Sequence, residues 1–108
     1  MENYSIPLVK LPKFEKLLSQ LIATPSISSP SNDWDQGNLP VIHILADWFE
    51  QLGFSVEIQT IPGSTNKANM VATLGTGPNG LVLSGHTDTV PYDAKKWLSD
   101  PFKLLERE

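Results

Sequence analysis

The sequence predicts an α/β fold in which two N-terminal helices pack on a mixed β-sheet. Three observations carry this. Apolar residues recur twice at helical spacing in the first half of the chain. They then alternate with polar residues over 54–59 and run unbroken over 81–83, the patterns of a half-buried and a fully buried strand. The seven Gly and nine Pro fall mostly between these segments, where they act as punctuation.

The first helix is expected from about Leu11 to Ala23. Phe14, Leu17, Leu18, Leu21 and Ile22 share one face, and Lys13, Glu15, Lys16 and Gln20 take the other. Pro12 suits the first turn, and Pro25 turns Thr24 away from helical geometry. Residues 24–37 read as a loop, with Asp33 and Asp35 as solvated carboxylates and Trp34 covering a core edge. The second helix starts near Asn38, a suitable cap, with Pro40 in its first turn and Gly53 as its left-handed stop. Its apolar stripe is Val41, Leu45, Trp48 and Leu52, widened by Ile42 and Phe49. His43 falls on the opposite face with Asp47 and Glu50, and reads as an i, i+4 partner of Asp47 rather than a metal ligand.

Strands are expected at Phe54–Gln59, Ala68–Leu74 and Leu81–Leu83, the first two joined through Pro62-Gly63 and a polar turn at 64–67. A strand buried on both faces needs neighbours. Residues 91–108 hold Trp97, Phe102, Leu104 and Leu105 but no further strand or helix, so the chain reads as the front of a larger domain.

Twelve acidic residues against eight basic ones give a net charge of −4, and Arg107 is the one arginine. That balance argues against nucleic acid or an anionic membrane as partner. No apolar run reaches the roughly 20 residues of a membrane span. Met1–Lys10 lacks the basic start and apolar stretch of a secretory leader, so a cytoplasmic location is expected. With no Cys, any metal site must use His, Asp and Glu. The 75–80 stretch lacks the Lys-Ser/Thr ending of a phosphate loop.

The segment that could carry chemistry is Leu81-Val82-Leu83-Ser84-Gly85-His86-Thr87-Asp88-Thr89-Val90-Pro91. It brings His86 to the C-terminal end of an apolar strand, where open α/β sheets place ligands. In extended backbone His86 and Asp88 point to one side. A neutral imidazole is a common zinc ligand, and its second nitrogen needs an acceptor to fix tautomer and orientation. Asp88 could be that acceptor or coordinate directly. His-x-Asp spacing also arises by chance, so spacing alone leaves a metal role open.

The segment Ser84–Pro91 resembles the first metal-binding motif of the zinc metallopeptidase family that includes acetylornithine deacetylase, succinyl-diaminopimelate desuccinylase and carboxypeptidase G. Leu21–Ser28, Ala46–Phe54 and Trp97–Phe102 are similar to other family stretches, in order and at family spacing. Within the family, Pro62-Gly63, Asn66–Met70 and Thr87–Pro91 are most similar to the bacterial acetylornithine deacetylase branch. The resemblance implies that residues 1–108 are the N-terminal part of a zinc-peptidase-like catalytic domain. It implies His86 as a metal ligand and Asp88 as the catalytic residue that orients or polarises it. Zn2+ or Co2+ is the implied cofactor, two ions in the complete enzyme, with water activated to cleave a small-molecule N-acylated amino acid. A homodimer is implied for the complete enzyme, and the other ligands, the general base and the lid domain are expected outside this stretch. The chain by itself is therefore expected to be inactive. Alternatives are a succinyl-diaminopimelate desuccinylase or dipeptidase of the same family, and a non-catalytic short chain that associates through an open sheet edge.

Overall fold

The computed structural model describes residues 11–108; the reading of Met1–Lys10 as no secretory leader lies outside them. Its elements are α1 (Phe14–Ala23), α2 (Leu39–Gln51), β1 (Ser55–Thr60), β2 (Ala68–Thr73) and a short 3-10 turn at Ala94–Lys96. This is the expected α/β class. No helix among the described residues is long and apolar enough to cross a membrane.

α1 starts later than expected. Lys13 is extended (φ −59°, ψ 154°), and its carbonyl accepts from the N–H groups of Lys16 and Leu17, which leaves Pro12 outside the first turn. The helix ends as Pro25 requires, with Thr24 extended and its hydroxyl donating to Gln20 O at 2.7 Å. Its apolar face is only half covered: Leu17, Leu18, Leu21 and Ile22 are half-buried, and Phe14 is exposed. α2 is the helix that covers the hairpin, packing across both β1 and β2.

α2 starts directly after Asn38 with Pro40 in its first turn, and Gly53 lies beyond its C-terminal end at φ 91°. Its buried residues are Val41, Ile42 and Ala46, while Leu45, Trp48 and Leu52 are only half-buried. The hairpin meets the N-terminal part of the apolar stripe, so the stripe shifts toward the residues that face the strands. Asp47 accepts from Gln51 Nε2 at 2.7 Å, four residues on, and this bond takes the place of the expected His43–Asp47 pair. His43 is exposed.

β1 and β2 pair antiparallel, with Val56 opposite Ala72, Ile58 opposite Met70 and Thr60 opposite Ala68. The one parallel pairing among the described residues is an isolated bridge between Ile27 and Thr89. The expected third strand does not form. Leu81, Val82 and Leu83 are 86%, 86% and 88% exposed and have no ladder partner. Their apolar run specifies burial on two faces, but nothing among the described residues lies on either face.

The core is correspondingly small: Ile27, Val41, Ile42, Ala46 and Ala68. Ile27 is its anchor at 2% exposure, and burying such a side chain contributes about 2 kcal/mol. Beside it, Gly37 brings the loop against the hairpin turn. Its φ is +79°, and a Cβ there would stand 2.5 Å from Asn66 O. Gly37→Ala is therefore expected to lower stability by at least about 2 kcal/mol, from left-handed strain and backbone overlap together. A urea midpoint within error of the parent would contradict this reading of the turn.

Candidate functional site

Two loop segments distant in sequence build the site. Thr89 N–H donates to Ser26 O at 3.1 Å, and Ser28 N–H donates to Thr89 O at 2.9 Å. Ser26 Oγ, in a residue only 5% exposed, donates to Thr87 O at 2.6 Å. Asn38 Nδ2 reaches Thr87 Oγ1 at 3.0 Å. All four bonds fall on the two threonines of His86-Thr87-Asp88-Thr89. The alternation of extended backbone then leaves His86 and Asp88 on the open side.

Those two side chains meet. His86 Nδ1 lies 3.1 Å from Asp88 Oδ1 and 3.2 Å from Asp88 O. A carboxylate and a carbonyl can only accept, so in the neutral ring Nδ1 carries the proton. Nε2 is then the nitrogen with the free lone pair. The imidazole is 81% exposed and the carboxylate 59%, so water competes for their bond and Nε2 is open to a ligand.

Beside Asp88 is a pocket of about 150 Å³ whose lining includes Ser26, Asn38, Lys67 and Asn69. Lys67 Nζ donates to Asp35 Oδ1 at 2.8 Å, and Ser29 N–H donates to the same oxygen at 3.0 Å. Asp35 is thus no idle solvated carboxylate. The Lys67 ammonium and then the Ser29 N–H hold its carboxyl below the ordinary range. Trp34, the residue before Asp35, meets the Tyr92 ring edge-on at 5.6 Å, and Tyr92 meets Phe102 at 5.4 Å. These aromatics fasten the tail to the loop. A larger cleft, about 520 Å³, lies between α1 and α2 and is lined by Gln20, Thr24, His43, Asp47 and Trp48 among others, with no residue of the motif.

The donor set fits one position of a zinc or cobalt site. An imidazole with its second nitrogen on a carboxylate is the arrangement such ligands favour. No group of three or more His, Asp or Glu side chains able to hold a metal stands together among the described residues. The pair thus presents one imidazole nitrogen to solvent, with a carboxylate on the other. Reasoning from sequence placed His86 and Asp88 but missed Ser26, and it gave Asn38 only a capping role. A signal for both was present: each is a hydrogen-bonding residue next to a chain reversal, Ser26 after Pro25 and Asn38 after Gly37.

Fold and site together define an α/β chain that presents a carboxylate-oriented imidazole on a hydrogen-bonded loop. Over 100 residues, 93% of its length, the chain is 55% identical to the acetylornithine deacetylase of Proteus mirabilis. Over 99 residues, 92% of its length, it is 54% identical to the acetylornithine deacetylase of Shigella sonnei. The resemblance to acetylornithine deacetylases read from the motifs is thereby shown. The chain spans about a quarter of the length of these curated relatives, 26% of each. No protein-family model matches it.

The Asp35 pair gives a pH dependence whose sign is fixed. A carboxyl depressed in the folded state stabilises fully above its unfolded pKa of about 4, and that contribution is lost as pH falls through the folded value. Asp35→Asn should therefore flatten the decline of the urea midpoint between about pH 5 and about pH 3. Parallel declines in variant and parent would contradict it.

Proposed function

We propose that this chain contributes one edge of the active site of a metal-dependent amide hydrolase that cleaves N-acetylornithine with water to ornithine and acetate, a step of arginine biosynthesis. The observation behind this is the coincidence of two things: identity of 54–55% to acetylornithine deacetylases, and a His86 Nδ1 that lies 3.1 Å from Asp88 Oδ1 within that matched stretch.

His86 would offer Nε2 as a ligand to zinc or cobalt. Asp88 would hold the proton on Nδ1 and keep the ring from turning, which strengthens the donor nitrogen. The metal, when bound, supplies Lewis-acid polarisation of the amide carbonyl and lowers the pKa of water toward about 7. The lone pair at Nε2 must be free for this, and the Nδ1–Asp88 contact leaves it so. We place the remaining ligands of a two-metal site, the general base and the dimer contacts in the three quarters of the relatives' length that this chain does not span. On this reading the 108 residues are a cytoplasmic enzyme's N-terminal portion and do not turn over substrate alone.

Grafting this chain in place of the matched quarter of the Proteus mirabilis relative gives the test. The hybrid should hydrolyse N-acetylornithine in preference to N-succinyl-diaminopimelate. His86→Ala should lower turnover and metal content, Asp88→Ala should cost about 10–100-fold, and His43→Ala should change neither. Equal metal content and turnover in the His86→Ala and His43→Ala hybrids would contradict the assignment, and preference for the succinylated substrate would move it to the desuccinylase branch.

A second reading has one observation in its favour, the exposed and unpaired Leu81–Leu83. A non-catalytic chain using this edge would self-associate with rising concentration, indifferent to chelator. Monomeric behaviour across the concentration range would dismiss it.

A further inference from the structure

Asn38 occupies the N-cap of α2, where an Asn side chain ordinarily accepts from the helix's own first N–H groups and contributes about 1 kcal/mol. It makes no such bond. Asn66 O does the capping instead, accepting from the N–H groups of Asn38 at 3.0 Å and Leu39 at 3.2 Å. The Asn38 amide is thus released, and all of its bonds go elsewhere. Oδ1 accepts from Ala68 N at 2.9 Å, and Nδ2 donates to Ala68 O at 2.9 Å and to Thr87 Oγ1 at 3.0 Å. Pairing with both backbone groups of Ala68, a residue 2% exposed, allows one amide orientation only. Nδ2 therefore faces Thr87.

The bond between His86 and Asp88 is exposed and competes with water, so it is too weak to keep the two groups together unaided. What holds them must act on the backbone between them. Thr87 is that residue. Asn38 holds its hydroxyl, and the buried Ser26 holds its carbonyl.

We propose that Asn38 is a positioning residue: by fixing Thr87 from behind, it keeps the His86 imidazole and the Asp88 carboxylate on one side and in contact. The proposal deepens the reading of His86 as a metal ligand and rests on it for its functional meaning. Its physical content stands apart from metal or turnover. Ala68 and Thr87 connect through a single amide, so α2, β2 and the motif share one rigid junction. A ring oriented in advance spares the ligand the cost of ordering it.

Long-range 15N–1H spectra of the histidine-labelled chain, at one pH above the ordinary imidazole range, read the His86 tautomer directly. His43 serves as the internal reference. Thr87→Val keeps the side-chain shape and removes the acceptor, and it should shift the His86 tautomer ratio away from Nδ1–H about fivefold, the factor carried by one ordinary hydrogen bond. Asn38→Ala removes the acceptor and both donations, and should shift the ratio in the same direction. Thr87→Ser restores the hydroxyl and should return the parent ratio. His43 should be unmoved throughout, and the backbone amide pattern of α2 and the hairpin should persist.

An unchanged His86 ratio in Thr87→Val would overturn the proposal. So would a Thr87→Val chain that loses its amide dispersion altogether, because the contact would then serve the fold rather than the orientation. If Asn38→Ala alone unfolds, the Thr87 pair decides. Failure of the hydrolase reading appears separately, as a hybrid enzyme indifferent to His86→Ala while the tautomer result stands.

Discussion

The parallel bridge between Ile27 and Thr89 is the contact on which the rest of the molecule depends. Residues 74–90 leave the hairpin after β2 and meet no sheet partner over Leu81–Leu83. They return to the body of the protein only where Thr89 pairs with Ser26 and Ser28, and where Ser26 and Asn38 grip Thr87. The same loop carries the anchor of the core, since Ile27 is the most deeply buried large side chain. Burial of one apolar residue and four hydrogen bonds thus set the position of the only imidazole–carboxylate pair among the described residues.

A second constraint supports the first. The loop from Ser26 to Asn38 is long, and it keeps its path through fixed contacts rather than regular structure. Gln36 Oε1 accepts from Ile27 N–H at 3.1 Å, Asp35 accepts from Ser29 N–H and Lys67, and Gly37 lets the chain pass against Asn66. Gln36 and Asp35 thereby satisfy the N–H groups of Ile27 and Ser29, which would otherwise be stranded near the core. No buried side-chain polar atom among the described residues lacks a partner. The loop can therefore present Ser26 and Asn38 to the motif at fixed height.

Much of this was legible in the sequence. Pro40 and Gly53 marked the ends of α2, Pro25 marked the end of α1, and alternation over 54–59 marked β1, because these signals act through local sterics that need no partner. Where the outcome depended on a distant partner, reading failed. Leu81–Leu83 is apolar enough for a central strand, yet a strand exists only with a ladder neighbour. His43 and Asp47 have helical pairing distance, but Gln51 competes for the same carboxylate and holds it. Asp35 looked solvated because Lys67 stands thirty-two residues away. In the site, the shared side of His86 and Asp88 followed from their spacing of two in extended backbone. Asn38 and Ser26 were hidden because both act through Thr87, and no periodicity links positions 26, 38 and 87.

Amide hydrogen exchange tests the central claim most directly, since it resolves the loop junction from the apolar segment beside it. If the junction organises the site, the N–H groups of Ser28 and Thr89 exchange slowly, alongside those of α2 and the hairpin. The N–H groups of Leu81, Val82 and Leu83 exchange at nearly the rate of free peptide. Protection at Ser28 and Thr89 no greater than at Leu81–Leu83 would contradict the account and leave the orientation of His86 without a structural cause.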